Sequence, residues 1–267
     1  MRILFIGDIV GKPGRQICKQ AIRPLRAREE LDLVVANAEN AAGGSGLTPD
    51  IYHELLASGI DGITLGDHAF KRREVFSILQ SERRLVRPAN YPSEAPGREF
   101  MVLKTRRQVC AAVFVLQGRV FMTPVDCPFH AADRVLASLP ADVNVILLDF
   151  HAEATSDKQL MGRHLDGRVS AVLGTHTHVA TADECLLPGG TAFQCDVGMT
   201  GPHDSILGRR IDRVMETVRT FRPTHYEVAG GDPRLNGSIV DVDPQTGRAT
   251  AIQRVCIDHA GLKSLGG

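Results

Sequence analysis

Residues 1–15, Met-Arg-Ile-Leu-Phe-Ile-Gly-Asp-Ile-Val-Gly-Lys-Pro-Gly-Arg, set the reading of the whole chain. A short apolar run, Ile3–Ile6, is broken by Gly7-Asp8, and a glycine turn then leads to a helix expected from Pro13 to Arg28. That is strand, turn, helix; it is too short and too polar for a secretory leader. The pattern repeats outward. Leu33–Ala36 is a second run, followed by the glycine-rich loop Ala41–Gly46. Thr48-Pro49-Asp50 opens a helix, with Thr as N-cap and Pro at its first position. Ile60–Leu65 precedes a helix expected over Lys71–Gln80, and Arg87–Gly97 reads as a loop. Further strands are expected at Val102–Leu103, Val109–Val115, Arg119–Met122, Val143–Phe150, Val169–Leu173 and Thr191–Gln194. Helices are expected at Asp133–Leu139, Gln159–Leu165 and Ile211–Phe221, and closing strands at Thr224–Val228, Ser238–Val242 and Thr250–Val255. Alternation of this kind gives βαβ units in an α/β fold. The strand-rich last third suggests a second sheet packed on the first. One domain over 1–267 is expected, with 87–125 as a small cap.

The chain has 267 residues, 43% of them hydrophobic, and its 31 Lys+Arg balance 31 Asp+Glu. A large core is possible at that length, whereas a neutral chain does not hold nucleic acid by charge alone. No apolar run approaches the ~18–20 residues that span a bilayer. The six cysteines form no C-x-x-C pair, so they read as reduced, mostly buried thiols of a cytoplasmic protein.

Five apolar runs end in chemistry. They lead into Asp8, Glu39-Asn40, Asp67-His68, His151 and His176-Thr177-His178. Ligands of open α/β sheets bind at the carboxyl ends of strands, so eight polar groups from five loops can converge. Taken singly, an Asp after a strand is usually a cap and a buried His a satisfied core group; five coincident strand ends favour a metal site. Carboxylates, an amide oxygen and imidazoles without thiolate suit Fe, Mn, Zn or Ni. Eight candidates exceed the needs of one four-coordinate zinc, and two ions clamping a phosphoryl group would use them. Gly7–Lys12 fails as a P-loop, since Pro13 stands where Ser or Thr must hold magnesium. Gly43 and Gly44 can cradle an anion with free N–H groups or simply turn the chain. His203 can reach substrate or face solvent. His53, His130, His164 and His259 read as surface groups, and His225 as a strand residue near the core.

The stretches 7–15, 37–48, 66–68, 87–92 (Arg-Pro-Ala-Asn-Tyr-Pro), 149–158, 174–184 and 196–202 resemble, in order and from end to end, the calcineurin-like metallophosphoesterases. The nearest branch is the bacterial YmdB family of 2′,3′-cyclic-nucleotide phosphodiesterases. The resemblance implies a four-layer α/β/β/α sandwich of two mixed sheets and a dinuclear site, usually iron or manganese. It implies that Asp8, Glu39, Asn40 and His178 hold one ion. Glu39, Asp67, His151 and His176 would hold the other, with Glu39 shared and His68 beside both as general acid. The family usually has Asn where this chain has Asp67. The expected reaction is attack of a metal-bridging hydroxide on a phosphodiester; cyclic nucleotides, RNA ends and small diesters all fit that chemistry, 2′,3′-cyclic nucleotides foremost. A cyclic-nucleotide sensor and a phosphomonoesterase are the alternatives. The family also suggests a homo-oligomer.

Overall fold

In a computed structural model, which describes residues 1–105 and 107–265, strand and helix alternate as the apolar runs require. The first half contains β1 (Arg2–Ile6), α1 (Gly11–Arg28), β2 (Leu33–Asn37), α2 (Pro49–Ser58), β3 (Gly62–Thr64), α3 (Phe76–Leu79), β4 (Leu85–Val86), β5 (Phe100–Lys104), β6 (Cys110–Gln117) and α4 (Pro128–Ser138). There follow β7 (Val145–His151), α5 (Thr155–Leu165), β8 (Ala171–Thr175), β9 (Cys185–Leu186), β10 (Ala192–Gln194), β11 (Gly201–Asp204), α6 (Ile211–Thr220), β12 (Gly231–Val242), β13 (Ala249–Ile257) and α7 (His259–Leu265).

Two mixed sheets result. One runs β11-β12-β1-β2-β3-β4, with β13 added on β12, and the other runs β5-β6-β7-β8-β10-β9. Side chains alternate across each strand, and the burial follows that parity. Ile3, Phe5, Leu33 and Val35 meet Val113, Val115, Val145 and Leu147 between the sheets. Their neighbours Leu4, Ile6, Val34 and Ala36 pack outward on α1, α2 and α3. Phe114, Leu116, Leu148 and Phe150 pack outward on α4 and α5. The layers are therefore α/β/β/α, as expected. Strands buried on both faces explain why the runs are continuously apolar rather than alternating.

Several local expectations are corrected. The last third does not by itself form the second sheet: β12 pairs antiparallel with β1 and completes the first, while the second is built from β5 to β10, of which only β9 and β10 lie in that third. Two of those strands, β5 and β6, come from the 87–125 stretch. Lys71–Gln80 is not one helix. Lys71 N–H donates to His68 O at 3.1 Å, so the chain turns straight after the site, and only a 3-10 turn, Arg73–Val75, and α3 follow. Arg119–Met122 is an exposed turn with Phe121 at φ +62°, and Thr224–Val228 is a loop whose Val228 makes a single bridge to Arg209. His225 is exposed there instead of near the core. All six thiols are free, but only Cys18 and Cys195 are buried; Cys185 and Cys256 are exposed. Among the described residues, no helix is long and apolar enough to cross a membrane.

Candidate active site

The inward face of the sheets is apolar until the strands reach their carboxyl ends, where it turns polar. Asn37 ends β2, Thr64 ends β3, Asp149 and His151 end β7, and Thr175 ends β8. Asp149 Oδ2 accepts from Thr64 Oγ1 at 2.6 Å and Asn37 Nδ2 at 2.9 Å, and Oδ1 accepts from Thr175 Oγ1 at 2.6 Å. One buried carboxylate thus ties the two sheets together. Burial pushes its pKa up to about 6, although these bonds and His151 act in the opposite direction. The Thr175 hydroxyl proton goes to Asp149, so Thr175 Oγ1 accepts from His151 Nδ1 at 2.8 Å. That puts a proton on Nδ1 and leaves Nε2 as the ring atom that faces the acidic groups of the site.

His151 Nε2 lies 2.9 Å from Asp67 Oδ1 and 3.4 Å from Glu39 Oε1. His176 Nδ1 lies 3.1 Å from His151 Nε2 and 3.3 Å from Asp67 Oδ1. Ligand atoms of Glu39, Asp67, His151 and His176 all fall within 4.8 Å of one another, the one such group among the described residues. The other expected residues adjoin it. Asn40 Nδ2 donates to Glu39 Oε1 at 3.0 Å and lies 3.3 Å from His178 Nε2, which is 3.9 Å from Asp8 Oδ1. Asp8 Oδ2 accepts from the His176 N–H at 3.0 Å, whereas its buried Oδ1 has no hydrogen-bond partner among the described residues. His68 presents Nδ1 to Asn40 Oδ1 at 2.8 Å and to Glu39 Oε1 at 3.2 Å. All eight residues from the five strand ends are brought together.

These residues fit a cation. The donors are hard or borderline, a buried carboxylate oxygen is orphaned, and the space is shaped by glycine. A Cβ on Gly66 would collide with Glu39 Oε2 and His151 Nε2. Charge tells the same story. Burial works to protonate Glu39, yet His151 and His68 hold it well below the usual carboxylate range. Burial works likewise on Asp67, which His151 and His176 hold down. Burial would deprotonate His151, but Glu39 and Asp67 raise it well above an ordinary imidazole. The acidic groups demand positive charge at this point.

The cluster opens on a cleft of about 370 Å³ lined by His68, Glu153, His178, Leu207, Arg209 and Tyr226. A larger cleft, about 570 Å³, lies between α5 and β9, but among the described residues no metal-ligating group of residues converges on it. Gly44 lines the active cleft, while Gly43 turns toward Arg72. The carbonyls of the glycine loop are clasped by three arginines. Arg15 takes Ala41 O at 2.7 Å, Arg72 takes Ala42 O at 3.1 Å and Ser45 O at 3.2 Å, and Arg209 takes those of Gly43 and Gly44. His203 lies apart, held by Gly201 O at 3.0 Å and Asn236 Nδ2 at 2.9 Å. Sequence reasoning missed Asp149 and Glu153. Strand parity marks Asp149, two residues before His151 on the same face. Glu153 Oε2, 3.2 Å from His176 Nε2, orients that ring so that Nδ1 faces the cluster; no sequence signal marks it.

A two-sheet sandwich with this acid–imidazole cluster at its strand ends defines a metallophosphoesterase, a hydrolase acting on phosphoester bonds. The model of the YmdB-like protein family matches residues 4–255, and the chain belongs to that family. It is 46% identical over 261 residues to a Bacillus subtilis (strain 168) protein named 2′,3′-cyclic-nucleotide 2′-phosphodiesterase, covering 97% of this chain and 98% of that one. Two crystal structures superpose with TM-scores of 0.90. One, a hypothetical protein from Thermus thermophilus, is 42% identical, covering 97% of this chain and 99% of the other. The other, described as a novel phosphatase of Mycoplasma pneumoniae, is 30% identical, covering 98% and 96%.

Proposed function

We propose that this chain is a dinuclear phosphodiesterase that hydrolyses 2′,3′-cyclic nucleotides. The observation that carries the reading is the convergence of three carboxylates, one amide and three imidazoles around His68, beside a cleft of nucleotide size. The name of the Bacillus subtilis relative supports the substrate. Asp8, Glu39, Asn40 and His178 would hold one ion, and Glu39, Asp67, His151 and His176 the other, iron or manganese in both. When bound, such ions neutralise phosphate charge and supply a water-derived nucleophile near neutral pH.

The chain's own residues do the rest. Thr175 and Glu153 fix the two rings of His151 and His176. His68, anchored through Nδ1 to Asn40 and Glu39, lines the cleft with Nε2 3.7 Å from Asp67 Oδ2, and protonates the departing ribose oxygen. General acid help of that kind is worth roughly 10²–10⁴-fold. RNA ends that carry a 2′,3′-cyclic phosphate offer the same chemistry.

The test is to incubate Mn²⁺-loaded protein with 2′,3′-cAMP, 3′,5′-cAMP and a phosphomonoester. Hydrolysis of the 2′,3′ isomer in preference to the other two is expected; binding without product would make the chain a sensor instead. His68→Ala should keep its metal and lose about 10²–10⁴-fold in turnover, with a smaller loss on a nitrophenyl diester, whose leaving group needs no proton. Full activity of that variant on 2′,3′-cAMP refutes the acid role.

A further inference from the structure

Two of the ligands proposed above stand on an unusual backbone. His176 has φ +93° and His178 φ +65°, left-handed values that non-glycine residues rarely adopt. Such a turn persists only where its surroundings over-determine it. Its centre is anchored from beneath. Thr177 donates twice to Asp196 Oδ2, from its N–H at 3.1 Å and from Oγ1 at 2.7 Å. The same oxygen accepts from Lys158 Nζ at 2.7 Å, and Asp196 Oδ1 accepts from Gly198 N–H at 2.8 Å. Lys158 and Asp196 are each 1% exposed, and neither lines the cleft. A buried ion pair adds little net stability over apolar residues of the same volume, so stability alone is a poor reason for its presence. Lys158 closes the 149–158 stretch and Asp196 opens the 196–202 stretch, and the mechanism gives neither a task.

We propose that the Lys158–Asp196 pair is a positioning device: it holds Thr177 so that the strained His176-Thr177-His178 turn aims both imidazoles at the ions. The proposal rests on the metal reading above. Lys158 fixes the Asp196 carboxylate, which fixes Thr177, whose neighbours are the two ligands.

The experiment titrates Mn²⁺ alone into wild-type protein, Lys158→Met, Lys158→Arg, Asp196→Asn, Thr177→Val and the double variant K158M/D196N. Binding is followed by calorimetry and electron paramagnetic resonance, and folding by circular dichroism. The double variant leaves no unpaired buried charge, and Thr177→Val leaves the ion pair intact, so at least one folded variant is available if the charge-breaking single changes unfold. Folded variants should bind Mn²⁺ about 10–100-fold more weakly, the usual effect of losing a group that orients a ligand. Lys158→Arg should recover part of the loss. Turnover of the Lys158 and Asp196 variants at saturating Mn²⁺ should return toward wild type, since neither of those residues lines the cleft. Wild-type Mn²⁺ affinity in the folded double variant and in Thr177→Val overturns the positioning role. Failure of wild-type protein itself to bind Mn²⁺ overturns the metal reading instead.

Discussion

A single methyl group is enough to test the packing of the site. Gly66 ends the β3 run directly above Glu39 and His151, and a Cβ there would overlap both. Gly66→Ala should therefore displace a ligand and abolish metal binding, while the melting temperature falls only modestly; normal Mn²⁺ uptake would contradict the geometry. Asp67 is a second point of interest. Its carboxylate adds negative charge beside Glu39 and Asp8, so Asp67→Asn should retain its second ion more weakly in a metal titration. His203 supplies a pH dependence outside the proposed ligand set, although His178 is among the charges that act on it. Burial holds its pKa below 6.5, although the Gly201 carbonyl works against this. The unfolded chain therefore takes up the proton first. The His203 contribution is complete above pH 6.5 and is lost as pH falls toward the folded value. An NMR titration should show His203 protonating below 6.5, and His203→Gln should flatten the loss of urea stability as pH falls below that point.

Elements differ in how far the sequence announces them. The Thr48-Pro49-Asp50 signal begins α2 as expected, with Thr48 Oγ1 accepting from Ile51 N–H at 3.4 Å. Thr48→Ala should cost about 1 kcal/mol in a denaturant melt. The five strand ends are equally legible, because a buried run followed by a polar residue leaves the chain few places to put that residue. The strands expected at Arg119–Met122 and Thr224–Val228 do not form, because apolar residues at an exposed turn look like a short strand until a partner strand is sought. The glycine loop is legible as a loop but not in its support. Nothing local says that Arg15, Arg72 and Arg209, from three distant segments, take its carbonyls. Arg209→Ala should loosen that loop, which would appear as faster amide exchange at Gly43 and Gly44; unchanged exchange would contradict the clasp.

At the scale of the whole molecule, the site exists because two sheets meet face to face with their carboxyl ends at one edge. Composition and alternation reveal the layers but not the order of strands. The antiparallel return of β12 beside β1 joins opposite ends of the chain, with Arg2 opposite Asp241, and no local pattern encodes such a pairing. Distance along the chain likewise hides the role of Asp149, whose partners Asn37 and Thr64 belong to the other sheet. Phe5 sits in the layer between the sheets, 1% exposed. Phe5→Ala should cost about 3–5 kcal/mol and disrupt the proposed metal site with it, since both sheets contribute residues to that cluster. The central claim, that side chains from five loops share a pair of ions, is tested most directly by metal analysis of protein equilibrated with Mn²⁺ and desalted. Wild-type protein should retain about two ions per chain, and Glu39→Gln, which removes the shared ligand, should lose both. One ion or none in the wild type, or two retained without the Glu39 carboxylate, would contradict it.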